Sequence, residues 1–126
     1  NFRTPVKHVH QVETYGFIVK TPEYNFSGIT DTKMFDSLAG HYKSDLVIIN
    51  VLSLEYRIPV DHLALPHAVE IIKEIKPKMA LLTHFGLTMW PTKPWDLEKQ
   101  VSDETGVRVI AARDGMVFDL DKAGLK

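Results

Sequence analysis

The chain of 126 residues carries 15 Lys and Arg against 16 Asp and Glu, a formal net charge of -1, with 44% hydrophobic and 25% charged residues. This is the composition of one ordinary globular domain, and it provides no general electrostatic grip on nucleic acid or on an anionic membrane. No cysteine occurs, which excludes disulfides and thiolate metal sites and leaves His, Asp and Glu as ligands for any metal. No stretch approaches the roughly 20 apolar residues of a membrane span, and no charged-then-apolar secretory pattern opens the chain, so a cytoplasmic protein without membrane contact is expected. The first residue is Asn1 rather than Met, which leaves room for residues upstream.

In chain order, "YGFIVKT" (15–21) and "NFSGITDT" (25–32) read as two strands of a hairpin joined by "PEYN". "SDLVIINVLS" (44–53) holds the continuous apolar run of a buried strand. Ala68, Ile71, Ile72 and Ile75 then recur at i, i+3, i+4 and i+7, the stripe of an amphipathic helix, with Pro66 in its first turn and Pro77 ending it. "MALLT" (79–83) is a second buried strand. A Pro- and Trp-containing loop follows, and Pro94 opens a helix that runs to Thr105 and stops at Gly106. "VRVIAA" and "MVFDL" are predicted strands, joined through the tight turn "RDG". The alternation implies an α/β layer whose two helices cover one sheet face and leave the cover of the other unspecified.

Six histidines occur: His8, His10, His41, His62, His67 and His84. His41 and His67 have no arguable partner and read as surface or structural residues. His84 follows a buried strand directly. Taken alone it fits a surface or hydrogen-bonded residue, and it becomes a candidate ligand once others can be placed beside it. Asp31 ends an apolar strand between two threonines, and reads equally as an N-cap for the following turn or as a metal carboxylate. Both residues close different strands at their C-terminal ends, the edge at which open α/β sheets bind ligands.

Four motifs, "HQVETYG" (10–16), "SGITDT" (27–32), "DHLALPHA" (61–68) and "LLTHFG" (81–86), occur in an order and spacing that resemble the C-terminal half of metallo-β-lactamase-fold hydrolases, closest to the phosphodiesterase and ribonuclease Z-like branch. The resemblance runs from about His10 to Leu120. It implies an α/β fold that is half of an αββα metallo-β-lactamase sandwich, one mixed β-sheet with helices on one face. It also implies His10 as a ligand to one metal, His84 as a ligand to the other and Asp31 as the carboxylate bridging both, with His8 competing for the place of His10. His62 stands 22 positions before His84, where that branch places a histidine assisting proton transfer to the leaving group. Leu63 and Ala64 replace the Ser-Thr of the branch, and a hydrogen bond from His62 to Asp61 or to backbone is the alternative.

The implied cofactors are two divalent ions, zinc foremost, with manganese or iron as alternatives. Two such ions activate a hydroxide nucleophile and clamp the oxygens of a phosphodiester. Imidazoles that bind zinc need a partner at the second nitrogen, and Thr30, Thr32 and Thr83 are candidates for such supporting contacts. The family's other ligand motif, His-x-His-x-Asp-His, is absent from this sequence. The resemblance thus makes residues 1–126 a single unit, the C-terminal half of a dinuclear hydrolase, probed best with a phosphodiester rather than a lactam or thioester. On this reading the chain alone is inactive. Its partner is the missing N-terminal half, on the same longer chain or on a second one, or another copy of itself, and nucleic acid enters only as a substrate. The rival reading is a non-catalytic assembly module that keeps the fold. Met89, Trp90 and Trp95 form a pocket wall, a core plug or a contact to the missing half, and Lys93 either meets a phosphate or is solvated.

Overall fold

The computed structural model describes residues 14–32, 34–52, 63–83 and 93–125. They form a five-stranded sheet in the order β1 (Phe17–Lys20), β2 (Asn25–Ile29), β3 (Leu46–Asn50), β4 (Met79–Thr83) and β5 (Arg108–Ala111). β1 and β2 pair antiparallel, whereas β2 through β5 are mutually parallel. The C-terminal ends of four strands therefore share one edge. Helix α1 (Leu65–Ile75) connects β3 to β4, and α2 (Pro94–Thr105) connects β4 to β5. Because the strand order never reverses, crossovers of one hand put both helices on the same face.

The period-2 pattern of the strands sorts residues onto the two faces. Val47, Ile49, Ala80, Leu82, Val109 and Ala111 meet the buried stripes of α1 (Ala68, Ile71, Ile72, Ile75) and α2 (Leu97, Val101) in the main core. The predicted stripe of the first helix is thus the buried one. Its start is only half of a capping box. Ala64 has no side-chain oxygen to offer, while Nδ1 of His67 accepts the Ala64 N–H at 3.0 Å. Lys76 closes the helix in the left-handed region, φ 52°, donating its N–H to the Ile72 carbonyl, and Pro77 prevents continuation.

The opposite face holds a second, smaller core in which Leu46, Met79 and Leu125 are buried, and Phe26, Ile48, Leu81 and Ile110 remain half-buried. Its cover is the C-terminal segment, which lays Phe118, Leu120 and Ala123 on the sheet. Lys78 Nζ donates to the Leu125 carbonyl at 2.8 Å and holds that segment down. Here the sequence-based expectation needs correction: "MVFDL" forms no strand. The turn at "RDG" exists, with Met116 N–H donating to the Arg113 carbonyl at 3.0 Å. The edge beyond β5, however, is already taken by α2. Ser102 Oγ accepts the Val109 N–H at 3.2 Å and Glu98 Oε1 accepts the Ala111 N–H at 3.1 Å. With the outward N–H groups of the edge strand satisfied by a helix, a hairpin partner loses the donors it would pair with.

At the other side of the molecule, Tyr42 is fully buried and its hydroxyl meets the backbone of Gly16. A β-carbon at position 16 would fall 2.0 Å from that oxygen, so only glycine fits. Burial drives the phenol far above the ordinary tyrosine range, and it stays protonated. The contact fastens the hairpin to the single 3-10 turn Ala39–His41 among the described residues of the β2–β3 connection.

Candidate metal centre

Of the predicted ligands, Asp31 lies within the described residues, while His10, His84 and the competing His8 lie outside them, as does the proposed acid His62. Asp31 follows β2 at the shared C-terminal edge, half-buried. It caps no helix. The helical turn that follows it starts from Leu38, and that cap has no side-chain bond. Its backbone is held instead, since Thr14 Oγ1 donates to the Asp31 carbonyl at 2.8 Å.

One side chain in contact with the carboxylate is Asn50, the last residue of β3, whose Nδ2 donates to Asp31 Oδ1 at 3.2 Å. Asn50 is in turn aligned with Thr83, the end of β4 and the residue before His84 in sequence. Three neighbouring parallel strands thus end in polar groups at one edge. An amide donating to a carboxylate oxygen is a contact of the kind that supports a carboxylate ligand. A carboxylate with imidazoles is also a donor set that suits zinc. Among the described residues alone, no three His, Asp or Glu side chains are grouped to hold a metal.

The contact of Asn50 with Asp31 was missed by sequence reasoning, and the support that Thr30, Thr32 and Thr83 would give to His10 and His84 concerns ligands outside the described residues. Thr30 Oγ1 donates to the Tyr15 carbonyl at 2.7 Å and helps close the hairpin. Thr32 is fully buried. The polar residue ending the apolar run "LVIIN" was the available signal for Asn50. His67, read as structural, does serve α1; burial holds its imidazole below the ordinary histidine range, with Glu70 opposing. A cleft of about 510 Å³ lined by Thr21, Pro22, Glu23, Tyr24 and Asp121 lies at the hairpin turn, beside the N-terminal end of β2 and away from Asp31.

Parallel strands, two helices on one face and a supported carboxylate at the C-terminal edge define an α/β layer with a ligand-type edge. Residues 2–85, two thirds of the chain, match the model of the beta-lactamase superfamily domain, and the chain belongs to that family. Among solved structures, the metallo-beta-lactamase fold protein YhfI from Bacillus subtilis is similar at TM-score 0.77 and 22% identity, over 91% of this chain and 48% of that one. A long form RNase Z from yeast aligns at TM-score 0.73 and 21% identity, over 98% of this chain and 18% of that one. Human tRNase Z, short form, aligns at TM-score 0.63 and 17% identity, over 91% and 41%. These likenesses establish the fold: a mixed sheet with two helices matching half of the metallo-β-lactamase sandwich. The chain spans about half or less of the length of these proteins. No curated protein matches it. Among the described residues, no helix is long and apolar enough to cross a membrane.

Proposed function

We propose that residues 1–126 are the C-terminal half of a dinuclear metal-dependent hydrolase acting on a phosphodiester. The observation that carries this reading is the Asp31 carboxylate, presented at the C-terminal edge of the parallel strands and oriented by Asn50, in a chain of this superfamily. Asp31, His10 and His84 would hold the two ions, and His62 would deliver a proton to the leaving group. The remaining ligands come from a His-x-His-x-Asp-His motif on the missing half. Bound divalent ions, zinc first among them, supply positive charge that activates water and offsets the charge developing on phosphate oxygens. Asn50 keeps the carboxylate of Asp31 aimed at the site, and Thr14 keeps its backbone in place. The phosphodiester is favoured because two of the similar structures bear ribonuclease names, RNase Z and tRNase Z.

The half-buried face of Phe26, Ile48, Leu81 and Ile110 is where the missing half packs. Its apolar residues need cover beyond the C-terminal segment. The test is hydrolysis of bis(p-nitrophenyl) phosphate by the protein assembled with its completing half, with zinc or manganese added. Metal-dependent turnover supports the reading. No turnover of any phosphodiester by a metal-loaded assembly removes the substrate class, and an assembly that takes up no metal leaves a non-catalytic module.

A further inference from the structure

The segment after β5 reaches the second sheet face without joining the sheet. Its own backbone bonds among the described residues are short-range turns, from Met116 to Arg113, Lys122 to Asp119 and Ala123 to Leu120. Leu125 is buried, whereas Phe118, Leu120 and Ala123 are half-buried and Val117 is 92% exposed. The side-chain bonds that tie the segment to the sheet lie open to water. Lys78, half-exposed, donates from Nζ to the Leu125 carbonyl at 2.8 Å, and the Tyr24 hydroxyl donates to Asp121 Oδ1 at 3.1 Å in an exposed contact. Few buried apolar contacts and solvent-exposed hydrogen bonds mark an element that opens at a lower free energy than the core beside it.

The segment covers one register row of the face. Phe26, Leu46 and Met79 align across β2, β3 and β4, and Leu46 and Met79, the first residues of their strands, are buried together with Leu125. Two residues further along, the row of Ile48, Leu81 and Ile110 stays half-buried, and beyond it lie Asn50 and Thr83 at the candidate edge. With the segment lifted, the two apolar rows become one continuous surface that adjoins that edge. We infer that residues 116–125 form a strap that opens independently of the main core and, when open, offers this surface to the completing half. The offer rests on the packing proposed above, while the opening is a property of this chain alone. A closed strap keeps the separate half from non-specific association through its apolar face.

The chain has no cysteine, so a single introduced thiol reports on each face. Met79 and Ala80 are neighbours on β4 that point to opposite faces, Met79 beneath the strap and Ala80 into the main core. In the full chain, Met79→Cys is expected to react with iodoacetamide at least about tenfold faster than Ala80→Cys. Its rate is also expected to depend less on urea, because strap opening exposes less surface than global unfolding, and the two rates converge at the unfolding transition. Leu46→Cys, in the same covered row, is a second reporter and is expected to agree with Met79→Cys. Leu125→Asp sets a charge into the buried contact of the strap. It is expected to raise labelling of Met79→Cys nearly to that of an exposed thiol while Ala80→Cys keeps its protection. A Met79→Cys rate no faster than that of Ala80→Cys, equal urea dependence of the two, or a Leu125→Asp variant that releases both thiols or neither overturns the inference. Hydrolysis enters none of these readouts, so loss of the hydrolase reading leaves the strap to stand or fall by its own labelling.

Discussion

Asn50 donates from Nδ2 to Oδ1 of Asp31 across 3.2 Å, tying the end of β3 to the residues after β2 at the edge where four parallel strands finish. A carboxylate expected to bridge two cations has to be aimed, and the amide aims it without adding charge. Replacing Asn50 by Ala is therefore expected to lower metal affinity or hydrolytic rate of the assembled protein by about 10- to 100-fold, the usual effect of removing a residue that supports a ligand. Asn50→Asp is expected to do worse, because it sets a second carboxylate against the first. Metal titration and steady-state kinetics of the two variants check this, and thermal melts separate a loss of folding from a loss of affinity.

Gly16 and Tyr42 make a second pair whose fit is strict. A β-carbon at position 16 would lie 2.0 Å from the tyrosine oxygen and 2.7 Å from the Gly28 carbonyl, and backbone cannot yield as a flexible side-chain tip can. Gly16→Ala is expected to destabilise the chain by about 1–3 kcal/mol, the range for overpacking. Tyr42→Phe, which removes the hydroxyl, is expected to recover part of that loss when combined with Gly16→Ala. Urea denaturation of the single and double variants measures the coupling.

His67 introduces a pH dependence. Its Nδ1 accepts the Ala64 N–H, which a protonated ring nitrogen cannot do, and burial holds the folded imidazole below its ordinary value. The unfolded chain then binds more protons than the folded one, so stability rises with pH in this interval. The contribution is fully present above the ordinary histidine value near 6.5 and is lost as pH falls through the lowered folded value. His67→Gln keeps an acceptor at the third helical position and removes the titration. Melting temperatures across pH 5 to 8 are expected to fall on the acid side for the native chain, and this component is expected to flatten in His67→Gln.

How much of this was legible beforehand differs between elements for physical reasons. The stripe at Ala68, Ile71, Ile72 and Ile75 and the unbroken runs in β3 and β4 announce themselves because burial on one helix face, or on both strand faces, imposes a period that residues display locally. "MVFDL" misled because strand formation depends on a free neighbour, and Glu98 and Ser102 had occupied that neighbour's place from a helix earlier in the chain. The place of Asp31 just after β2, at the C-terminal edge, was legible in the apolar run before it. Its contact with Asn50 was not, because the two are 19 residues apart in sequence and an asparagine closing a strand looks like the start of a turn.

The protected edge has a consequence for association. Glu98→Ala with Ser102→Ala leaves the outward N–H groups of Val109 and Ala111 without their acceptors. About 1 kcal/mol is expected to be lost for each bond, and the bared strand is expected to pair with other chains. Light scattering at increasing concentration is expected to show association in the double variant that the native chain does not show.

The central claim is that this edge is half of a two-metal hydrolytic site, and the most direct measurement is the metal content and bis(p-nitrophenyl) phosphate turnover of the assembled protein, native and Asp31→Ala. Close to two ions per assembly are expected by elemental emission, with Asp31→Ala losing bound metal and at least the roughly hundredfold activity that even a supporting residue can command. A metal-free native assembly, or an Asp31→Ala variant that retains both its ions and its turnover, would contradict the account.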